Sequence, residues 1–233
     1  MKGFSNPEVV VTPRELAGIL DAAPPARPLV LDLRPPDAYA AGHVPGAIHL
    51  DLWGVSLIDT DPAPLEAFMW MIEHVLAIHG VDAATPVVVY DEQSGTRAAR
   101  AFWFLEFFGH PDVRVLDGGV RAWTAAGMPL SHDNPAPKPS SWKGERRTEL
   151  LATWSDVRDR LGAGTTAILD TRSDAEHSGA LVRAARGGAI PGAVHLEWKD
   201  SVAEDGTLKS AGQLERMFES KGVTRDREVI TYC

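Results

Sequence analysis

The sequence predicts an α/β protein made of two similar domains, each a parallel β-sheet with helices on both faces. An internal repeat relates the two halves of the 233-residue chain. Short apolar segments, typical of buried strands, alternate with segments that carry helix-capping patterns. A proline-rich stretch at 129–141 lies between the halves and marks their boundary. Together these features indicate a duplicated domain.

The repeat consists of short blocks that recur in the same order, about 140 residues apart. The blocks are VLDLR at 30–34 and ILDTR at 168–172, PGAIHL at 45–50 and PGAVHL at 191–196, and VYD at 89–91 and TYC at 231–233. Because the order and spacing are kept, the two halves are expected to share one topology. In this arrangement Cys233 corresponds to Asp91.

In the first half, Thr12 and Glu15 form a capping-box pattern that opens a helix through Leu20. Short apolar runs then predict strands, and longer mixed segments predict helices. The predicted elements are a strand at 29–33, a helix at 65–78, a strand at 87–90, a helix at 96–108, a strand at 113–116 and a final helix.

The second half repeats this order. Thr153 and Asp156 repeat the capping pattern before a helix at 157–161, and Ser210 and Gln213 open another helix that ends at Lys221. The runs 167–169 and 229–232 predict strands. Strands that are separated by helices require crossover connections, which place parallel strands between layers of helices.

These elements suggest domain limits at 1–130 and 143–233, joined by a proline-rich linker at 131–142. After Asp91 the first half continues with a loop, a helix, a strand and another helix, and no such segment follows Cys233. We therefore expect the second domain to be truncated at Cys233.

Composition excludes several classes of protein. The net charge is −9, and the first 130 residues hold 8 basic against 16 acidic side chains, which argues against a nucleic-acid partner. The sequence shows no membrane-spanning apolar run and no signal-peptide pattern. One cysteine allows no internal disulfide, and the histidines do not cluster. We expect a soluble, cytoplasmic monomer with no cofactor, no metal and no membrane partner.

Cys233 is the candidate nucleophile. It follows a predicted parallel strand, and the carboxyl ends of such strands are where α/β proteins bind ligands. At the corresponding place the first half has a short polar loop with Gly95 before a helix, and backbone N–H groups in such a loop favour a thiolate. The alternative is that Cys233 is a small buried apolar residue.

The motifs of both halves, taken together, resemble those of the rhodanese sulfurtransferases. The matching stretches are DLR at 32–34, GHVPGA at 42–47, LDGG at 116–119, GMP at 127–129, DTR at 170–172, IPGA at 190–193, EDGT at 204–207 and VITYC at 229–233. The resemblance covers nearly the whole chain. It implies a catalytic second domain and a first domain that has lost its cysteine, as Asp91 indicates.

This resemblance implies that sulfane sulfur moves from thiosulfate to cyanide or a thiol through a persulfide on Cys233. Asp170 and Arg172 are expected to form an ion pair that supports the site, since Asp32 and Arg34 repeat it in the half without cysteine. The second half also contains an insertion at 180–188. Its arginines, Arg183 and Arg186, are candidates for binding the anionic donor, although surface arginines are more often simply solvated.

Two departures from the family pattern bear on the donor. Glu176 stands where enzymes that use mercaptopyruvate place an arginine, which favours thiosulfate as the donor. Ala189 occupies the position that corresponds to His43 of the first half, so the second half has no histidine there. Three alternatives stay open: a 3-mercaptopyruvate sulfurtransferase, a phosphatase or arsenate reductase of similar fold, and a non-catalytic module that senses sulfide or an anion.

Overall fold

The computed structural model describes residues 2–23, 26–57 and 59–233. The chain forms two compact units. The first unit comprises Asn6–Leu151 and the short segment Glu204–Leu208. The second comprises Ala152–Ala203 and Lys209–Cys233, together with the N-terminal residues through Ser5. Each unit contains a parallel β-sheet and helices, so the predicted α/β class is confirmed.

In the first unit the strands follow the order β1–β5–β4–β2–β3, and every pair is parallel. The strands are β1 (Val10–Val11), β2 (Leu29–Asp32), β3 (Ile48–His49), β4 (Val87–Tyr90) and β5 (Val113–Leu116). The helices are α1 (Pro13–Leu20), α2 (Pro36–Ala40), α3 (Pro62–Ile78), α4 (Thr96–Phe107) and α5 (Gly119–Ala125). Crossovers between the strands place the helices on the two faces of the sheet.

Successive residues of the central strands point to opposite faces, and each face has its own core. On one face Leu31 and Val89 pack with residues of α3 and α4, including Ile72 and Phe104. On the other face the core contains Val30, Val88, Tyr90, Leu16 of α1 and Trp123 of α5. Every residue of β4 is buried, as expected for a central parallel strand.

In the second unit the strands follow the parallel order β7–β6–β8. The strands are β6 (Thr166–Asp170), β7 (Val194–His195) and β8 (Glu228–Tyr232), and the helices are α6 (Trp154–Asp159), α7 (Asp174–Ser178) and α8 (Ala211–Ser220). A core of Ala167, Leu169, Leu196 and Val223 lies against the sheet. The register pairs Asp170 with Tyr232, so the ends of β6 and β8 are adjacent.

The segment between the repeats belongs to the first unit. Ser140 N–H donates to the Ala77 carbonyl at 2.9 Å, Gly144 N–H to the Glu73 carboxylate at 3.0 Å, and Arg147 N–H to the Phe107 carbonyl at 2.7 Å. The compact units therefore divide the chain after Leu151, beyond the interval 131–142 that the prolines indicate as a linker. Residues 132–147 form no helix or strand, and hydrogen bonds such as these attach the stretch to the first unit.

None of the helices formed by residues 2–23, 26–57 and 59–233 has both the length and the apolar character needed to cross a bilayer.

Candidate active site

Cys233 lies at the carboxyl end of β8, directly after Tyr232. It is a free, exposed cysteine. The neighbouring strand β6 ends at Asp170, which is in register with Tyr232. The candidate site is therefore the carboxyl edge of this parallel sheet, where α/β folds commonly bind ligands.

Asp170 and Arg172 form a bidentate ion pair beside Cys233. Arg172 Nε donates to Asp170 Oδ1 at 2.9 Å and Arg172 Nη2 to Asp170 Oδ2 at 2.7 Å. The Asp170 side chain is fully buried, whereas that of Arg172 is 21% exposed. Arg172 Nη2 also donates to the Gly188 carbonyl at 2.9 Å. The pair thus connects β6 to the end of the inserted segment 180–188.

Tyr232 ties the two strand ends together. Its hydroxyl donates to Asp170 Oδ2 at 2.8 Å and accepts the Ile190 N–H at 3.1 Å. Its carbonyl accepts hydrogen bonds of 3.0 Å from both the N–H and the hydroxyl of Thr171. Burial and the adjacent Asp170 carboxylate raise the pKa of Tyr232, so the phenol stays protonated. The peptide group that leads into Cys233 is therefore held by fixed neighbours.

The charge of Asp170 is set by its hydrogen bonds. Burial disfavours its ionised form, but hydrogen bonds from Arg172, His177 and Tyr232 outweigh this and hold the pKa of the carboxyl well below its usual range. Hydrogen bonding to Asp170 likewise raises the pKa of Arg172. The pair is ionised at neutral pH and neutral overall, so it joins β6 to the inserted segment without adding net charge.

The first unit repeats this arrangement. Tyr90 Oη donates to Asp32 Oδ2 at 2.6 Å, and Arg34 Nη2 bonds to the same oxygen and to the Gly42 carbonyl, each at 2.7 Å. The Val44 N–H donates to Tyr90 Oη at 3.1 Å. Each contact has its counterpart in the second unit. This equivalence supports a structural role for the Asp–Arg pair, because it occurs with and without a cysteine.

In the first unit, Asp91 occupies the position that corresponds to Cys233. Its carboxylate is buried and accepts four backbone N–H groups, from Gln93 at 3.2 Å, Gly95 at 3.2 Å, Arg97 at 3.0 Å and Ala98 at 3.0 Å. Burial raises the pKa of Asp91, and these N–H groups oppose the rise. The last two belong to the first turn of α4, whose dipole favours negative charge. A side chain on Gly95 would meet Asp91 Oδ2 at 2.7 Å, so glycine permits the close approach.

The two arginines of the insertion differ in their surroundings. Arg183 is 72% exposed, and its Nε lies 2.9 Å from Glu176 Oε1. Glu176 also accepts the Ser173 hydroxyl at 2.6 Å and completes a capping box at the start of α7. Arg186 is exposed, and within the described residues it forms neither an ion pair nor a side-chain hydrogen bond. The charge of Arg183 is thus compensated, and that of Arg186 is not.

Sequence reasoning overlooked three residues that surround the Asp170 carboxylate and the Cys233 backbone, namely Thr171, His177 and Tyr232. The signal for Tyr232 was present, since a tyrosine precedes both Asp91 and Cys233 in the repeat. His177 Nδ1 lies 2.9 Å from Asp170 Oδ2. In the part of the chain that the structure describes, no group of three or more His, Cys, Asp or Glu side chains is placed to hold a metal ion.

Comparison with known proteins assigns the family. The family described as "Rhodanese-like domain" matches residues 12–126 and 153–233. The sulfur carrier protein TtuD of Thermus thermophilus is 33% identical over 248 residues, covering 99% of this chain and 84% of its own length. The thiosulfate sulfurtransferase of Azotobacter vinelandii is 34% identical over 234 residues, covering 100% of this chain and 85% of its own.

A solved structure shares the fold. The anaerobic ergothioneine biosynthesis enzyme from Chlorobium limicola has a TM-score of 0.80 at 23% sequence identity over 97% of this chain. The present chain spans 60% of the length of that protein, so this likeness concerns the fold alone. Both halves of the chain match the same family, in agreement with the internal repeat. The chain belongs to the rhodanese-like family, with two rhodanese-like domains.

Proposed function

We propose that this protein is a sulfurtransferase that moves sulfane sulfur from thiosulfate to cyanide or a thiol through a persulfide on Cys233. One observation carries the proposal most directly: Cys233 occupies the strand-end position at which the first copy holds the carboxylate of Asp91. A position that holds an anionic group among backbone N–H groups also suits a thiolate or a persulfide. The names of the relatives in Azotobacter and Thermus support sulfur transfer.

The reaction has two nucleophilic steps. The Cys233 thiolate attacks the outer sulfur of thiosulfate, a sulfur–sulfur bond forms at the cysteine, and sulfite leaves with the electron pair of the broken bond. Cyanide or an acceptor thiolate then attacks the outer sulfur of the persulfide. The Cys233 thiolate departs, and thiocyanate or a new persulfide is released. No external oxidant or reductant is required, because the sulfane sulfur keeps its oxidation level.

Within this proposal the first copy, predicted at 1–130, carries no sulfur, because Asp91 is a carboxylate that cannot form a persulfide. The predicted catalytic copy at 143–233 contains the residues that support the nucleophile. Asp170 and Arg172 hold the carboxyl edge of the sheet, and Tyr232 positions the backbone at Cys233. Cys233 is the catalytic residue, and Asp170, Arg172 and Tyr232 act by positioning it.

The donor is proposed to be thiosulfate rather than mercaptopyruvate. Glu176 places a negative charge on α7 and compensates Arg183, so this pair offers little attraction to a carboxylate. Arg186 remains as an uncompensated positive charge of the insertion and is the proposed contact for the small dianion. Arg183 is proposed to contribute less to donor binding.

The test is uptake of sulfur by the protein. Incubation with thiosulfate is expected to add the mass of one sulfur atom, located at Cys233 by peptide mass spectrometry, and cyanide is expected to remove it and yield thiocyanate. Cys233→Ser should show neither the added mass nor turnover. Undiminished turnover in Cys233→Ser, or sulfur bound at another residue, would refute the persulfide mechanism.

A further inference from the structure

The two copies differ at a position on the helix that follows the aspartate of their shared Asp–Arg–Tyr arrangement. The residue that comes seven positions after the aspartate is Tyr39 in the first copy and His177 in the second. Both lie on a short helix that follows the aspartate strand, α2 and α7 respectively. The copy with histidine is the copy with the cysteine.

The contacts differ between the two side chains. Tyr39 Oη donates to the Ala47 carbonyl at 2.8 Å. His177 instead directs Nδ1 to Asp170 Oδ2 at 2.9 Å. That oxygen already accepts Arg172 Nη2 and Tyr232 Oη, so in the second copy it accepts three hydrogen bonds. A carboxylate can only accept, so the proton of the imidazole is on Nδ1.

Several charged and titratable groups face the His177 ring. Asp170 and Arg172 come from the end of β6, and Tyr232 comes from β8. From β7, the ring of His195 stacks on that of His177, with centroids 4.3 Å apart and an interplanar angle of 18°. His195 Nδ1 in turn lies 3.3 Å from Asp174 Oδ1 on α7. The side chain of His177 is 30% exposed.

We propose that His177 is a positioning residue for the chemistry of Cys233. This proposal rests on the persulfide function proposed above. His177 holds Oδ2 of Asp170, Asp170 holds the hydroxyl of Tyr232, and Tyr232 leads directly into Cys233. His177 therefore fixes the strand end from which the nucleophile projects. Tyr39 provides no such bond in the copy without cysteine, where it donates to Ala47 instead.

The experiment compares two substitutions of His177. Asparagine can place an N–H near the position of Nδ1, whereas phenylalanine keeps a ring but has no hydrogen-bonding group. We expect His177→Phe to lower the rate of persulfide formation about tenfold at pH 8, and His177→Asn to restore most of it. Thermal unfolding of each variant shows whether it is folded at the assay temperature, and only folded variants are compared.

Tyr39→Phe is the matched control, because it removes a hydrogen bond at the same position of the first copy. It should leave the rate of persulfide formation unchanged. If folded His177→Phe forms the persulfide at the wild-type rate, the role of His177 is refuted while the proposed function stands. If the wild-type protein takes up no sulfur, the proposed function fails, and the role of His177 fails with it.

Discussion

The hydroxyl of Tyr232 donates a 2.8 Å hydrogen bond to Oδ2 of Asp170 and so joins β8 to β6 at their carboxyl ends. The same hydroxyl accepts the Ile190 N–H at 3.1 Å. Because the side chain serves as donor and acceptor at once, its orientation is set by both partners. Tyr90 makes the equivalent pair of bonds in the first unit. The two tyrosines therefore allow the same substitution to be made with and without a neighbouring cysteine.

Tyr232→Phe tests whether Tyr232 positions Cys233 in addition to stabilising the fold. Removing the hydroxyl leaves Asp170 and Ile190 each one partner short, which is expected to cost about 1–3 kcal/mol of unfolding free energy. Persulfide formation should also slow by roughly tenfold at constant temperature. Urea unfolding and stopped-flow measurement with thiosulfate give the two quantities. Tyr90→Phe should lose stability without slowing the reaction; equal slowing in both variants would contradict the positioning role of Tyr232.

Asp91 can be used to ask whether the first copy keeps an anion-binding loop. In an Asp91→Cys, Cys233→Ser double variant, the four N–H groups that now bind the carboxylate are expected to favour a thiolate. We expect its reaction with an alkylating reagent to be faster at pH 6 than that of an unfolded cysteine peptide. Asp91→Ala, Cys233→Ser is the control without a thiol. A folded double variant whose cysteine reacts no faster than the peptide would contradict this interpretation of the loop.

The two arginines of the insertion are expected to contribute unequally to the binding of thiosulfate. Arg186→Ala should raise KM for thiosulfate several-fold with little change in kcat, because it removes an uncompensated charge from donor binding. Arg183→Ala should change KM less, since Glu176 already compensates that charge at 2.9 Å. Steady-state kinetics at two salt concentrations measure both constants. Equal increases in KM for the two variants would show that the Glu176 contact does not persist when the donor binds.

The Asp170 network predicts how stability depends on pH. The pKa of Asp170 is lower in the folded protein than in an unfolded chain, where an aspartate has a pKa of about 3.9. The ionised Asp170 therefore makes its full contribution to the free energy of unfolding above about pH 3.9. This contribution is lost as the pH falls towards the pKa of Asp170 in the folded protein. Asp170→Asn should be less stable than wild type at pH 7, and this difference should shrink as the pH falls below about 4.

Urea unfolding of the second unit at several pH values measures this difference. Asp174→Asn is a suitable control, since the Asp174 side chain is 90% exposed and its removal should cost little at any pH. A difference between wild type and Asp170→Asn that stays constant from pH 7 to pH 3 would show that the carboxylate charge of Asp170 does not stabilise the fold.

Features that depend on residues close together in the sequence could be predicted from the sequence. The capping boxes of α1, α6 and α8 formed at the predicted residues, because a side chain reaches a backbone N–H only three positions away. β4 and β5 have the predicted bounds, since short apolar runs form buried parallel strands. The repeat also identified Asp91 and Cys233 as equivalent positions, because duplicated blocks preserve topology.

Contacts between distant residues could not be read in this way. Tyr232 reaches Asp170 across 62 positions, and Glu204–Leu208 joins the first unit although it lies in the second half of the sequence. Glu176 suggested a selector of the donor, and its contacts at the start of α7 and with Arg183 became visible only in the structure. The contact of His177 with Asp170 depends on the position of α7 relative to the end of β6. A sequence pattern specifies which residues can form a helix or strand, whereas packing of those elements brings particular side chains within hydrogen-bonding distance.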